Sequence, residues 1–268
     1  MGDINQFYAG LDSIFAEGRI REVEGYCLQW KEDAERGGDA QGVIAACNEL
    51  GGFYRAQGKL PEAEVLYLRV LAELRRNGLD KTENYATALI NLGTVHIVGQ
   101  EIEKAYKVYQ EAEEILTALG FWKDYRMAAL NNSLSAVYRE MGRLNDAENC
   151  SRKALDIIVD YPDKRGELAT TYVNLGEVQT AQGKFEIARE NLERAISIFE
   201  KETGGKDVHY ATAMAAMGGL AYQEGKLSQA KEYYEQAKAL TERDFGKNLN
   251  YERICDAINQ IHQAMARS

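Results

Sequence analysis

The side chains best equipped for chemistry in this sequence are three histidines, four cysteines and several pairs of acids. His96, His209 and His262 are too dispersed for a metal site, and neither a His-Glu-x-x-His pair nor a calcium loop occurs. Cys27, Cys47, Cys150 and Cys255 stand singly, with no Cys-x-x-Cys spacing to support a zinc knuckle or a redox pair. Thiols scattered in this way read as buried, reduced and structural, which fits a cytoplasmic location. Gly205-Lys206 is followed by Asp207 and lacks the upstream glycine of a phosphate loop, and no Gly-x-Ser-x-Gly elbow presents a nucleophile. Acid pairs such as Glu113-Glu114 fall on predicted helix surfaces, where solvation is the default. No catalytic residue, metal or cofactor is expected, and the chain is not read as an enzyme.

The elements that must carry these residues are helices. Only two prolines, Pro61 and Pro162, occur among 268 residues, against 24 glycines. Such a chain reads as helices separated by glycine turns, because proline is the strongest breaker of a helix interior. A hydrophobic fraction of 45% with 28% charged residues is ordinary for a globular protein. The net charge of -10 repels phosphate backbones, so nucleic acid is not an expected partner. No apolar run approaches the length of a membrane span. The opening Met1-Gly2-Asp3-Ile4-Asn5-Gln6 has no basic or apolar signal region, and Gln6 stands where an acylation motif wants Ser or Thr.

Five segments share one skeleton, beginning at Gly51, Gly93, Ser135, Gly176 and Gly218, which are 42, 42, 41 and 42 residues apart. Seven residues after each start stand Gly58, Gln100, Gly142, Gly183 and Gly225; twelve after stand Ala63, Ala105, Ala147, Ala188 and Ala230. Sixteen after are Tyr67, Tyr109, Ser151, Leu192 and Tyr234, and nineteen after are Val70, Ala112, Ala154, Ala195 and Ala237. Three after, the series is Tyr54, His96, Tyr138, Gln179 and Ala221, so His96 fills a packing slot. These offsets place the small residue and its third neighbour on one helical face, and the last three positions on another. The glycine between the two sets can take the positive φ of a helix C-cap. Each repeat is therefore a helix, a tight turn and a second, antiparallel helix whose small residues allow close approach. In the second repeat Gly99 comes one place early and Gln100 holds the glycine slot, which predicts a different turn.

The Leu-Gly-x-x-Tyr, Gly, Ala, Tyr/Leu, Ala skeleton resembles the tetratricopeptide repeat. The period exceeds that family's usual 34 residues by eight, about two helical turns, so each helix gains about one turn. With Tyr85-Ala86-Thr87-Ala88-Leu89-Ile90-Asn91-Leu92 and His209-Tyr210-Ala211-Thr212-Ala213-Met214 opening helices, it resembles the kinesin-light-chain subtype. The resemblance implies an all-α, right-handed superhelical solenoid forming a single domain over residues 1–268. Residues 1–40 form a degenerate first repeat, with Leu11, Ile14, Gly18, Val23, Cys27 and Trp30 on the same offsets, and 41–246 hold the five clear repeats. The stripe Ile254, Ile258, Ile261 and Met265 marks residues 250–266 as a capping helix; the alternative use of that stripe is a homodimer.

In the family this chain resembles, the first helix of each repeat lines the concave groove. Matching positions there carry Thr87 with Asn91 and Thr170 with Asn174, four residues apart on one face, and Asn48 and Asn132 lie one step away. Arg55, Arg139 and Tyr222 follow the small residue by four positions, and Glu177 follows Gly176 directly. An asparagine amide offers donors and an acceptor that complement a peptide group. Asn48, Arg55, Thr87, Asn91, Asn132, Arg139, Thr170, Asn174, Glu177 and Tyr222 are accordingly the candidate contacts for a peptide or protein segment. The bland alternative for the amides is bonding between neighbouring repeats or simple hydration. The expected function is a protein-interaction scaffold. The alternative is a peptide-responsive regulator whose effector module lies on another chain.

Overall fold

The computed structural model describes residues 3–205, 207 and 209–267. Met1, Gly2 and Lys206, which entered the reading of the opening segment and of the last connection, lie outside them. The described residues are helical with no strand, and they gather into two compact units, 1–120 and 121–268.

Unit 1 holds α1 (Ile4–Ala16), a single 3-10 turn (Ile20–Glu22), α2 (Val23–Gly37), α3 (Ala40–Ala56), α4 (Leu60–Arg76), α5 (Glu83–Val98) and α6 (Ile102–Ala118). Asp3 and Asp39 start α1 and α3 as N-caps, their carboxylates accepting from the backbone N–H of Asn5 and Gly42. Pro61 sits in the first turn of α4, where its missing N–H costs nothing. The hairpins α3/α4 and α5/α6 close on buried alanines: Ala63 and Ala105 are fully enclosed, as is Ala112. Across each hairpin a glycine faces a tyrosine ring. A Cβ on Gly93 would lie 2.2 Å from Tyr109, and one on Gly51 would lie 3.0 Å from Tyr67. Those rings fill the volume the missing side chains leave.

The turn between α5 and α6 corrects the expectation drawn from Gly99. Gly58 turns with φ 78°, and Gln100, not Gly99, takes the equivalent left-handed conformation with φ 62°. Gly99 keeps ordinary helical angles at φ -77°. Packing of the two helices sets which residue must reverse the chain, and a glycine one place early cannot move that position. Gln100 therefore carries a strain that glycine avoids.

Unit 2 holds α7 (Tyr125–Glu140), α8 (Leu144–Ile158), α9 (Arg165–Ala181), α10 (Phe185–Thr203), α11 (Tyr210–Gln223), α12 (Leu227–Phe245) and α13 (Leu249–Arg267). Its hairpins repeat the same closure, with Gly176 against Leu192 and Gly218 against Tyr234. The third repeat solves it differently: the buried Ser135 hydroxyl bonds Ala147 O at 2.9 Å and the Ser151 hydroxyl at 2.7 Å. One core cluster joins Val173, Leu192 and Phe199 to Met217 and Leu220, tying α9/α10 to α11. The last helix covers what remains. Ile254 and Ile258 pack with Met214 and Ala237, and Ile261 packs with Ala221 and Ala230. Met265, the fourth residue of the predicted stripe, stays 40% exposed.

Candidate functional site

The chemistry-bearing side chains are mostly neutralised by the fold. All four cysteines are free; burial pushes the Cys27 thiol up to about 12 and the Cys47 thiol up to about 11, so neither is a thiolate at neutral pH. Glu113 and Glu114 lie exposed on α6 as expected. His96 is 4% exposed, with Nδ1 2.8 Å from Glu101 Oε2 and Nε2 4.0 Å from Glu64 Oε1. The sequence reading missed this gathering, because Glu64 belongs to the preceding repeat and only stacking brings it near.

The candidate contacts stand on the first helices. On unit 1, the Asn91 amide N–H donates to Asn48 Oδ1 at 3.0 Å, linking α5 to α3, and the Asn48 amide reaches Glu49 at 3.4 Å. Burial, with Asp12 adding, raises the Glu49 carboxyl above the usual range against that bond. Thr87 turns its hydroxyl back to Glu83 O at 2.9 Å. Arg55 is half-buried beside the Tyr67 phenol; its Nε is buried without a hydrogen-bond partner, and it forms no ion pair among the described residues.

Unit 2 arranges the same positions otherwise. The Asn132 amide N–H donates to Thr171 Oγ1 at 2.8 Å, linking α7 to α9, while its Oδ1 is buried without a partner. Arg139 is paired with Glu177 and lies 3.4 Å from Glu140. The Glu177 charge, ahead of burial, raises the Arg139 pKa. Thr170 bonds Gly166 O at 3.0 Å. Asn174, half-buried, makes no side-chain hydrogen bond among the described residues, and Tyr222 is 38% exposed. Thr171 is a partner the sequence reading missed; its place one residue after Thr170 gave no signal, since the pairing depends on how α7 and α9 lie together.

The tetratricopeptide repeat family matches residues 43–118, 125–201 and 167–243. Kinesin light chain-related protein 2 of Arabidopsis thaliana is 24% identical over 217 residues, 76% of this chain and 31% of that protein. Kinesin light chain-related protein 3 of the same plant is 22% identical over 89% of this chain and 39% of its own length, so the chain spans about a third of these relatives. Among solved structures, BtubC (BKLC) from P. vanneervenii superposes with TM-score 0.63 at 19% identity, covering 82% of this chain and 90% of that one. NprR superposes with TM-score 0.68 at 14% identity, covering 95% and 69%. With the glycine–alanine skeleton, the antiparallel hairpins and the capping helix in place, the chain belongs to the tetratricopeptide repeat family, in its long, kinesin-light-chain-like form.

Proposed function

We propose that this protein is a cytoplasmic interaction scaffold that binds an extended segment of another protein along the face of its first helices, without catalysing a reaction. The observation that carries the reading is Asn174: an amide with no side-chain hydrogen bond among the described residues, half-exposed, at the repeat position where Asn91 also stands. An amide of this kind matches the donor and acceptor of one peptide group. Thr170, Asn132 and Tyr222 stand with it on the first helices of unit 2, and Asn48, Arg55, Thr87 and Asn91 stand on those of unit 1. Arg139 and Glu177, paired with each other, serve as one dipolar contact rather than two separate ones. Family membership supports the reading, as does the likeness to NprR, solved with its cognate peptide NprX, and to a Rap protein solved with competence and sporulation factor. Those two likenesses also favour the second reading, a peptide-responsive regulator acting on a separate effector chain. A homodimer through α13 would have to use its outer face around Met265, since Ile254, Ile258 and Ile261 are covered within the chain; light scattering decides it.

Selection from a displayed random-peptide library, followed by titration of an enriched peptide, tests the proposal. Asn174→Ala should weaken binding about tenfold, the loss of one to two hydrogen bonds, and change unfolding free energy by less than about 0.5 kcal/mol. Asn91→Ala should instead cost about 1 kcal/mol of stability by leaving the Asn48 carbonyl unpaired. An Asn174→Ala protein that binds the enriched peptide as tightly as the parent removes the central contact from the proposal.

A further inference from the structure

Two seams between successive repeats are closed by the same ion pair. Glu24 accepts from the Tyr54 hydroxyl at 2.8 Å and from Lys59 at 3.3 Å, and Glu148 accepts from Lys184 at 2.8 Å. Both lysines stand eight residues after the small residue that starts a repeat, and both acids stand thirteen after the start of the repeat before, counting Leu11 as the start of the degenerate one. At the seam between the repeats of Gly51 and Gly93 the acid is again present, as Glu64, but the lysine position holds Glu101 and the counterpart of Tyr54 is His96. A carboxylate thus stands where the other four repeats place a cation, Lys59, Arg143, Lys184 and Lys226, and two acids flank one buried imidazole.

The geometry points to a divalent transition-metal site in this seam, held by His96 Nε2 and Glu64, with Glu101 orienting the imidazole. An ionised carboxylate only accepts, so Nδ1 donates to Glu101 Oε2 at 2.8 Å, and the nitrogen that faces Glu64 is Nε2, the one a metal would take. The 4.0 Å between Nε2 and Glu64 Oε1 is too long for a hydrogen bond. Bonds of about 2.0–2.1 Å at a tetrahedral angle span about 3.4 Å, so an interposed ion requires the Glu64 carboxylate, 34% exposed, to close by about 0.6 Å. A histidine that ligates a metal through one nitrogen while its other N–H is held by a carboxylate is a recurring arrangement in metal sites. Lys104, 2.7 Å from Glu101 Oε1, occupies the outer oxygen of that carboxylate and keeps it in this supporting place. Zinc or a neighbouring first-row ion suits an imidazole–carboxylate pair, with water completing its coordination. The ion restores the cation that the other two seams take from lysine.

Calorimetric titration of the chelator-treated full chain with Zn²⁺ should show one ion per chain. Cu²⁺ used as a probe should give an electron paramagnetic resonance spectrum split by a single imidazole nitrogen. Glu64→Gln, at a half-buried side chain, should lower Zn²⁺ affinity at least tenfold, and Glu101→Gln by about tenfold through loss of the orienting carboxylate. Zn²⁺ should raise the melting temperature of the parent and leave that of Glu64→Gln unmoved. Absence of one-to-one binding, or equal Zn²⁺ affinity in the parent and in a folded Glu64→Gln, overturns the site.

Discussion

The second repeat, in unit 1, and the third, in unit 2, are built on one template and solve it in opposite ways. In the second, Gly93 yields its side-chain volume to Tyr109; in the third, Ser135 and Ser151 share the volume and bond each other. The second reverses at Gln100 under backbone strain, whereas the third reverses at Gly142 without it. Glu64, in the repeat that starts at Gly51, meets His96 and Glu101, while Glu148, at the matching place in the repeat that starts at Ser135, meets Lys184 and Arg152. Asn91 in the second bonds the asparagine Asn48; in the third, Asn132 bonds the threonine Thr171. The template constrains the close approach at its small positions and the place of chain reversal, because those decide whether two helices can close. It leaves the charge and hydrogen-bonding character of each seam open, and that freedom is where a repeat array can differentiate its surfaces.

The sharpest way to break this comparison is to give one repeat half of the other's solution. Gly93→Ser should destabilise the protein by about 1–3 kcal/mol in urea unfolding, because the added atoms enter the Tyr109 ring. Adding Tyr109→Ser should deepen the loss, because two serines leave much of the fully buried ring's volume as a cavity in a hairpin shaped around it. A single change that costs under about 0.5 kcal/mol would mean that the hairpin is looser than its geometry implies.

The two arginines four residues after the small residue give the next contrast. Arg139→Ala, which strands the half-buried Glu177, should cost about 1 kcal/mol, between the value of an exposed pair and that of a buried one. Arg55→Ala breaks no ion pair among the described residues and should cost less than about 0.5 kcal/mol. Equal losses in the two melts would show that the Arg139–Glu177 pair contributes nothing specific.

Relief of strain should run the other way. Gln100→Gly should stabilise by about 1 kcal/mol, since a left-handed residue with a side chain carries that order of penalty. Gly142→Ala, the reverse change in the third repeat, should destabilise by a similar amount, about 1 kcal/mol. An unchanged midpoint for Gln100→Gly would place the penalty elsewhere.

The last contrast is in acid. Burial alone would raise the Glu148 carboxyl, but hydrogen bonds from Lys184 and Arg152 outweigh it and hold the group at about 2. A pKa depressed in the folded state contributes stability that is whole above the unfolded value and is lost as pH falls toward the folded one. The contribution of Glu148 should therefore be intact above about pH 4.5 and fade between there and about pH 2. Glu148→Gln should flatten that part of the stability–pH curve and leave the limb above pH 5 parallel to the parent; identical acid limbs in the two proteins would show that the seam does not depend on this charge.

The sequence by itself determined the hairpins, their order and their closure. Small residues at fixed offsets, glycines at the reversals and an apolar stripe near residue 258 each act within one or two helical turns, a range over which spacing along the chain is spacing in space. It also determined which positions of the first helices are polar, and hence which residues were worth suspecting. Tertiary structure alone decided what those polar groups meet. Asn91 and Asn174 hold matching places in their repeats, yet Asn91 finds Asn48 and Asn174 finds no hydrogen-bond partner among the described residues. Arg139 finds a carboxylate where Arg55 finds a phenol, and His96 gathers acids from two directions. The physical reason is common to all three: a hydrogen bond or ion pair requires contact within about 3–4 Å. Residues about 40 positions apart come that close only when one hairpin leans on the next, at an angle that no local pattern encodes.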